Sequence, residues 1–174
     1  MKKSVIIVFC AVLLAVISSC ASQTELADGV AFTINGEPVL QEKWDTRVEL
    51  DKRFYPDITD KEIMDKFVRE RVIQQEAERR GITATDEEAY ELMDITYAKL
   101  IDELVAAIEE FADSLGLTMD EYKQLSIDTY KEAVMGNKLH DELIAEAADS
   151  DMLPENYYED YIDNLVKTAK IKYK

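Results

Sequence analysis

TDKEIMDKFVRERVIQQEAERRGITATDEE, residues 59–88, decides the fold. Thr59 followed three residues later by Glu62 is a capping box, in which each side chain satisfies a backbone amide that the first helical turn leaves without a partner. A helix is therefore predicted from near Asp60. Ile63, Met64, Phe67, Val68, Val72 and Ile73 then recur over an arc too wide for a helix buried on one side only. This element is predicted to pack on more than one neighbour, at the centre of the domain. Arg79 and Arg80 suit the negative end of the helix dipole, Gly81 suits a left-handed closing residue, and Thr85 with Glu88 repeats the capping box. One helix ends and the next begins within about five residues.

Beyond Thr85 the pattern becomes a single stripe, Ala89, Met93, Tyr97, Leu100, Leu104, Ile108, Phe111 and Leu115, with no Gly or Pro until Gly116. One continuous helix is predicted, roughly 45 Å long at about 1.5 Å per residue. Thr118 with Glu121 is a third capping box. Tyr122, Leu125, Ile127, Tyr130, Val134, Leu139, Leu143, Ile144 and Ala147 follow as a return helix, antiparallel because the connector is so short. Gly136-Asn137 inside it predicts a bend or a close helix crossing. Pro154 suits the first turn of a closing helix, and Lys167 to Lys174 alternates polar and apolar as an edge strand would, with lysines that discourage further pairing.

Towards the N-terminus, Val30 to Ile34 favours a strand, and Asn35-Gly36 is a tight-turn signal leading into Pro38-Val39. Trp44, Val48, Leu50 and Phe54 give the next helix its apolar face, up to Tyr55-Pro56. The predicted fold is mainly α: a helical domain with a long antiparallel helix hairpin, and a small two- or three-stranded β ribbon joining the N- and C-terminal ends.

Lys2 and Lys3, followed by the apolar run Val5 to Ile17, read as an export signal too short to span a bilayer as a finished helix. Ile17-Ser18-Ser19-Cys20 looks like a lipobox, with Cys20 as the lipid attachment site; cleavage near Ala21 or Ala11 beside a coincidental cysteine is the other reading. The expected organisation is a signal peptide at 1–19, a lipidated tether at 20–29 and one domain at 30–174. More than one acyl chain on one residue gives durable anchoring, so the expected location is the extracytoplasmic face of a membrane. The 174 residues hold 37 acids against 20 Lys and Arg. That excess argues against nucleic acid and anionic headgroups as partners.

Several passages carry a resemblance. Glu76-Ala77-Glu78-Arg79-Arg80-Gly81-Ile82-Thr83-Ala84-Thr85-Asp86-Glu87-Glu88 resembles the helix-to-helix passage of the SurA and PrsA N-terminal chaperone domains, whose helical part is related in fold to the trigger factor C-terminal region. Val30-Ala31-Phe32-Thr33-Ile34-Asn35-Gly36 is similar to their entry, although Leu40-Gln41-Glu42 stands where they place a capping Ser or Thr. Tyr157-Tyr158-Glu159-Asp160-Tyr161 is similar to their closing helix. Over roughly residues 28 to 174 the resemblance implies an extracytoplasmic chaperone that binds unfolded or nascent secreted polypeptides without ATP. In the family a parvulin-type prolyl isomerase domain follows the closing strand, and here the sequence stops at that point.

No enzyme is predicted. The sequence has no nucleophile elbow, phosphate loop, zinc spacing or Cys-His pair, and with 37 acids a pair such as Glu109-Glu110 arises by chance. His140 stands alone and reads as a packing or surface residue, and Asp149-Ser150-Asp151 lacks the glycine and terminal glutamate of a calcium loop. No metal or cofactor is expected. Candidate client-binding residues are Trp44, Phe54, Met64, Phe67, Met93, Tyr97, Tyr122 and Tyr130, since flexible thioethers and aromatic rings suit deformable apolar walls. The same spacing also suits an ordinary core. An acidic rim would favour basic clients. The alternative functions are a scaffolding lipoprotein that uses its hairpin for a fixed partner and, further off, a prolyl isomerase.

Overall fold

The computed structural model describes residues 27–149 and 151–173. The expected export signal, Cys20 and most of the expected tether lie outside them, as do Ser150 of the acidic run and Lys174. The elements follow in the order β1 (Val30–Ile34), β2 (Glu37–Leu40), α1 (Gln41–Phe54), α2 (Asp60–Arg79), α3 (Asp86–Tyr97), α4 (Asp102–Ser114), α5 (Met119–Leu125), α6 (Ile127–Glu146), a 3₁₀ turn at Ala147–Asp149, α7 (Pro154–Thr168) and β3 (Ile171–Tyr173). The fold is mainly α with one small antiparallel sheet. Among the described residues no helix is long and apolar enough to cross a membrane.

The sheet has the order β2-β1-β3, so the two ends of the domain meet as the expected ribbon. Asn35 and Gly36 both have positive φ, 55° and 92°, the geometry a two-residue hairpin turn requires and which glycine adopts without a Cβ penalty. On the other edge Phe32 pairs with Tyr173 and Ile34 with Ile171. The turn is tied to α2. The Asn35 side chain donates to Gln75 Oε1 at 2.8 Å and accepts from the Lys170 N–H at 3.0 Å. Gln75 Nε2 in turn donates to the Ile34 carbonyl at 3.0 Å.

All three capping boxes form. The Glu62, Glu88 and Glu121 amides each donate to the threonine hydroxyl three residues earlier, at 3.2 to 3.3 Å, and each glutamate accepts from that threonine's own N–H. Leu40, without a capping side chain, leaves the start of α1 to a backbone bond from Gln41 N–H to the Gly29 carbonyl.

α2 is the hub. One side packs Phe67, Val68 and Val72 on Phe32, Ile34 and Val39 of the sheet. The other reaches a second cluster of Ala77, Ile82, Leu139, Leu143 and Ile162, shared with α6 and α7. Each large side chain buried there contributes roughly 1.5–3 kcal/mol. Where α2 crosses α6, Gly136 lets the backbones approach, and a Cβ there would meet Ile73 Cγ2 at 3.4 Å. The helix continues unbroken through that glycine, and the close crossing forms.

The predicted hairpin is corrected in two places. The helix from Thr85 to Leu115 breaks at 98–101, where Ile101 turns extended with ψ of 153°. No Gly or Pro marks the break. Thr96 bonds back to the Leu92 carbonyl at 2.7 Å, which weakens a helix from inside. Packing then sends the two halves different ways: Ala89 and Met93 of α3 bury against Ile127 of α6, whereas α4 pairs with α5. The return helix is interrupted at Ser126, whose hydroxyl donates to the Tyr122 carbonyl at 2.8 Å. The long arm is therefore α3 against α6, with α4 and α5 folded over at its end.

Candidate functional site

That folded tip stands opposite α1 and leaves a cleft of about 800 Å³ between them. α1 contributes Leu50 and Phe54, with Thr46 and Glu49 on the same strip, and Tyr55 follows directly after its last turn. α4 contributes Leu104, Ile108, Phe111 and Leu115, the four-three-four spacing that places one row along a helix. Tyr97 of α3, Tyr122 and Leu125 of α5, and Thr129 and Tyr130 of α6 close the far wall. The row on α4 is only partly covered: Phe111 is buried, whereas Leu115 is 53% exposed.

The walls are braced by side chains. Phe111 and Tyr122 meet edge to face at 6.0 Å, joining α4 to α5. Tyr90 of α3 donates its hydroxyl to Gln124 Oε1 at 2.5 Å. Across the mouth, the Arg53 guanidinium stands 5.2 Å from the Phe111 ring centre and 4.0 Å from a Glu110 oxygen, linking α1 to α4. At the back, Lys138 Nζ bridges Glu88 at 2.6 Å and donates to the Thr83 carbonyl at 2.8 Å, and Lys131 pairs with Asp86. These bonds fix the start of α3 on α6.

Of the eight candidate contact residues, Phe54, Tyr97, Tyr122 and Tyr130 come together in this cleft. The other four do not. Phe67 is 4% exposed and Met93 is fully buried, so both are core and present no surface to a client. Trp44 packs edge to face on Phe32 at 5.3 Å and on Phe67 at 5.5 Å, which makes it chiefly a core residue. Its remaining surface, with Met64, lines a smaller hollow of about 450 Å³ beside Val48 and Glu49. Met64 also borders a hollow of about 560 Å³ under β3. The sequence reading passed over Leu50, Leu104, Ile108 and Leu115 as cleft residues, although their helical stripes signalled them.

Burial, with the neighbouring Tyr130 and Tyr122 hydroxyls, pushes the Tyr97 phenol up to about 12, and burial also raises Tyr130. Both stay neutral at pH 7 and act as apolar rings with a hydrogen-bonding tip. Glu49 is the charged group on the lining. What the cleft offers is aromatic and aliphatic contact with one carboxylate. His140 packs on the Tyr158 ring at 4.7 Å, and among the described residues no His, Cys, Asp or Glu cluster could hold a metal.

A second cluster is structural. Glu76, only 5% exposed, accepts from Arg79 at 2.6 and 2.7 Å, from Arg80 at 2.8 Å and from the Tyr161 hydroxyl at 2.5 Å. Arg80 continues to Glu146 of α6 at 2.5 Å, so the end of α2 is bound to α6 and α7 at once. The Arg79 bonds chiefly, with those from Arg80 and Tyr161, hold the Glu76 carboxyl down at about 2.

The fold and the cleft together define a class, a mainly helical domain closed by a β clasp with an open apolar cleft at one end. Comparison with protein-family models, with curated proteins and with solved structures returns no match.

Proposed function

We propose that the chain is an ATP-independent holdase, anchored through lipid on Cys20 at the outer face of a membrane, that takes an apolar stretch of a non-native secreted polypeptide into the cleft. The cleft is the observation that supports this reading. Its size falls in the range of sites that accept several side chains, and its walls come from five helices without an organised set of polar groups to impose one ligand shape. Contacts of that kind are non-directional and individually weak, which suits capture and release without nucleotide. The export signal and the resemblance to SurA and PrsA domains point the same way.

The test places the full chain in zwitterionic-lipid nanodiscs and follows light scattering of several unrelated unfolded proteins. Near-stoichiometric suppression is expected for all of them, and Ile108→Asp, which puts a charge on the lining, is expected to lose most of it while keeping its helical circular dichroism. No suppression by the parent chain, or full suppression by Ile108→Asp, refutes the reading. Activity towards one partner alone favours a scaffold, for which the exposed Ile101, Leu115 and Leu125 at the tip would be the contact. A prolyl isomerase would accelerate cis/trans exchange in X-Pro peptides, and no acceleration above background is expected.

A further inference from the structure

Resting on the reading of the cleft as a client site, we infer that it takes cationic amphipathic segments, in which an aromatic or branched aliphatic side chain is flanked by Lys or Arg. Three independent observations converge on that occupant.

The first is where the charge lies. Residues 86–125 supply α3, α4 and α5, and they carry twelve Asp and Glu against two lysines, Lys99 and Lys123. The whole chain holds 37 against 20, so the excess is concentrated in the elements that build one wall. At about 0.1 M salt such a field reaches roughly 10 Å, the scale of the cleft mouth. It draws in a cationic segment and repels an acidic one.

The second is Glu49. It is exposed on α1 and lines the cleft opposite α4. Among the described residues it makes no ion pair, and it borders the smaller hollow beside Trp44 as well as the cleft.

The third is how the aromatic faces of the lining are already used. Arg53 stands over Phe111 at 5.2 Å, Lys123 over Tyr97 at 5.0 Å and Lys66 over Tyr55 at 5.0 Å. The protein's own cations cover three of these rings, and Phe54, Tyr122 and Tyr130 present further aromatic surface in the same cleft. A client Lys or Arg can lay its methylene stem along such rings with its head at the acidic rim, while the adjacent apolar side chain enters between α1 and α4.

The experiment uses the full chain in zwitterionic-lipid nanodiscs, with empty nanodiscs as the blank. Two fluorescent peptides share one apolar core, flanked by two lysines in one and by two glutamates in the other, and anisotropy is read at about 0.05 and about 0.5 M salt. The lysine peptide is expected to bind about tenfold tighter at low salt, with the gap closing to about twofold at high salt. Glu49→Gln is expected to narrow the low-salt ratio by about threefold. Equal affinities, or a lysine preference indifferent to salt, overturn the charge selection and leave the holdase reading standing. Absence of binding by either peptide also overturns it, and if aggregation suppression is absent too, the client site itself falls.

Discussion

Glu76→Gln removes a carboxylate from the point where α2, α6 and α7 meet and leaves two guanidinium groups and a phenol facing an uncharged amide. The native carboxyl is held at about 2 against an ordinary value of 4.5. That difference corresponds to roughly 3 kcal/mol of stabilisation of the folded state. Arg79 is 66% exposed and water screens its share, so roughly 2 kcal/mol is the working figure. Because the folded value lies below the unfolded one, the contribution is complete above about pH 4.5 and is lost as pH falls towards 2. Urea unfolding read by Trp44 fluorescence should show the parent chain more stable than Glu76→Gln by roughly 2 kcal/mol at about pH 7, with the gap reduced by more than half at about pH 3. The capping residues Glu62 and Glu121 are also held low by their threonine bonds, and Glu88 by Lys138 first and then by Thr85; all titrate in the same direction, but both proteins share them, so the difference isolates Glu76. A gap that stays constant from neutral to acid pH, or one below about 0.5 kcal/mol at neutrality, refutes the assignment of this cluster as an electrostatic joint.

At the α2–α6 crossing, Gly136→Ala should stay within about 1 kcal/mol of the parent in thermal melts, because 3.4 Å to Ile73 is a tolerable contact and alanine favours the helix. Gly136→Leu should destabilise by at least about 2 kcal/mol, since the added atoms have nowhere to go. Phe67→Ala should cost about 3–5 kcal/mol in denaturant titrations, whereas Leu125→Ser, at a side chain 69% exposed, should change stability by no more than about 0.5 kcal/mol and yet weaken suppression of client aggregation. Gly36→Val, forced into φ of 92°, should lower the unfolding midpoint by an amount equivalent to about 1–2 kcal/mol.

Local chemistry made much of this fold readable. Thr59, Thr85 and Thr118 each announced a helix start, Asn35-Gly36 announced the hairpin, and the alternation before Tyr173 announced the strand that pairs with β1. These signals act within a few residues, and sequence carries them directly. The break at 98–101 has no such signal, because it follows from where α3 and α4 find partners. Met93 and Leu104 look alike as apolar residues on a common stripe, yet α6 covers the first and leaves the second facing the cleft. The same limit applies to Phe67 and Phe54, similar in kind, one sealed against the sheet and the other on the cleft wall. Glu76 lay in the most informative stretch, but its role depends on Tyr161, about 85 residues away along the chain.

The ladder between Phe32 and Tyr173 joins positions about 140 residues apart. A chain emerging N-terminus first can make its opening hairpin early, but one flank of β1 waits until Ile171–Tyr173 has arrived, a long-range closure of the kind that slows folding. Completion of the sheet thus depends on the strand at Ile171–Tyr173, and a chain lacking it would leave one edge of β1 with unpaired backbone groups, a template for pairing with another strand.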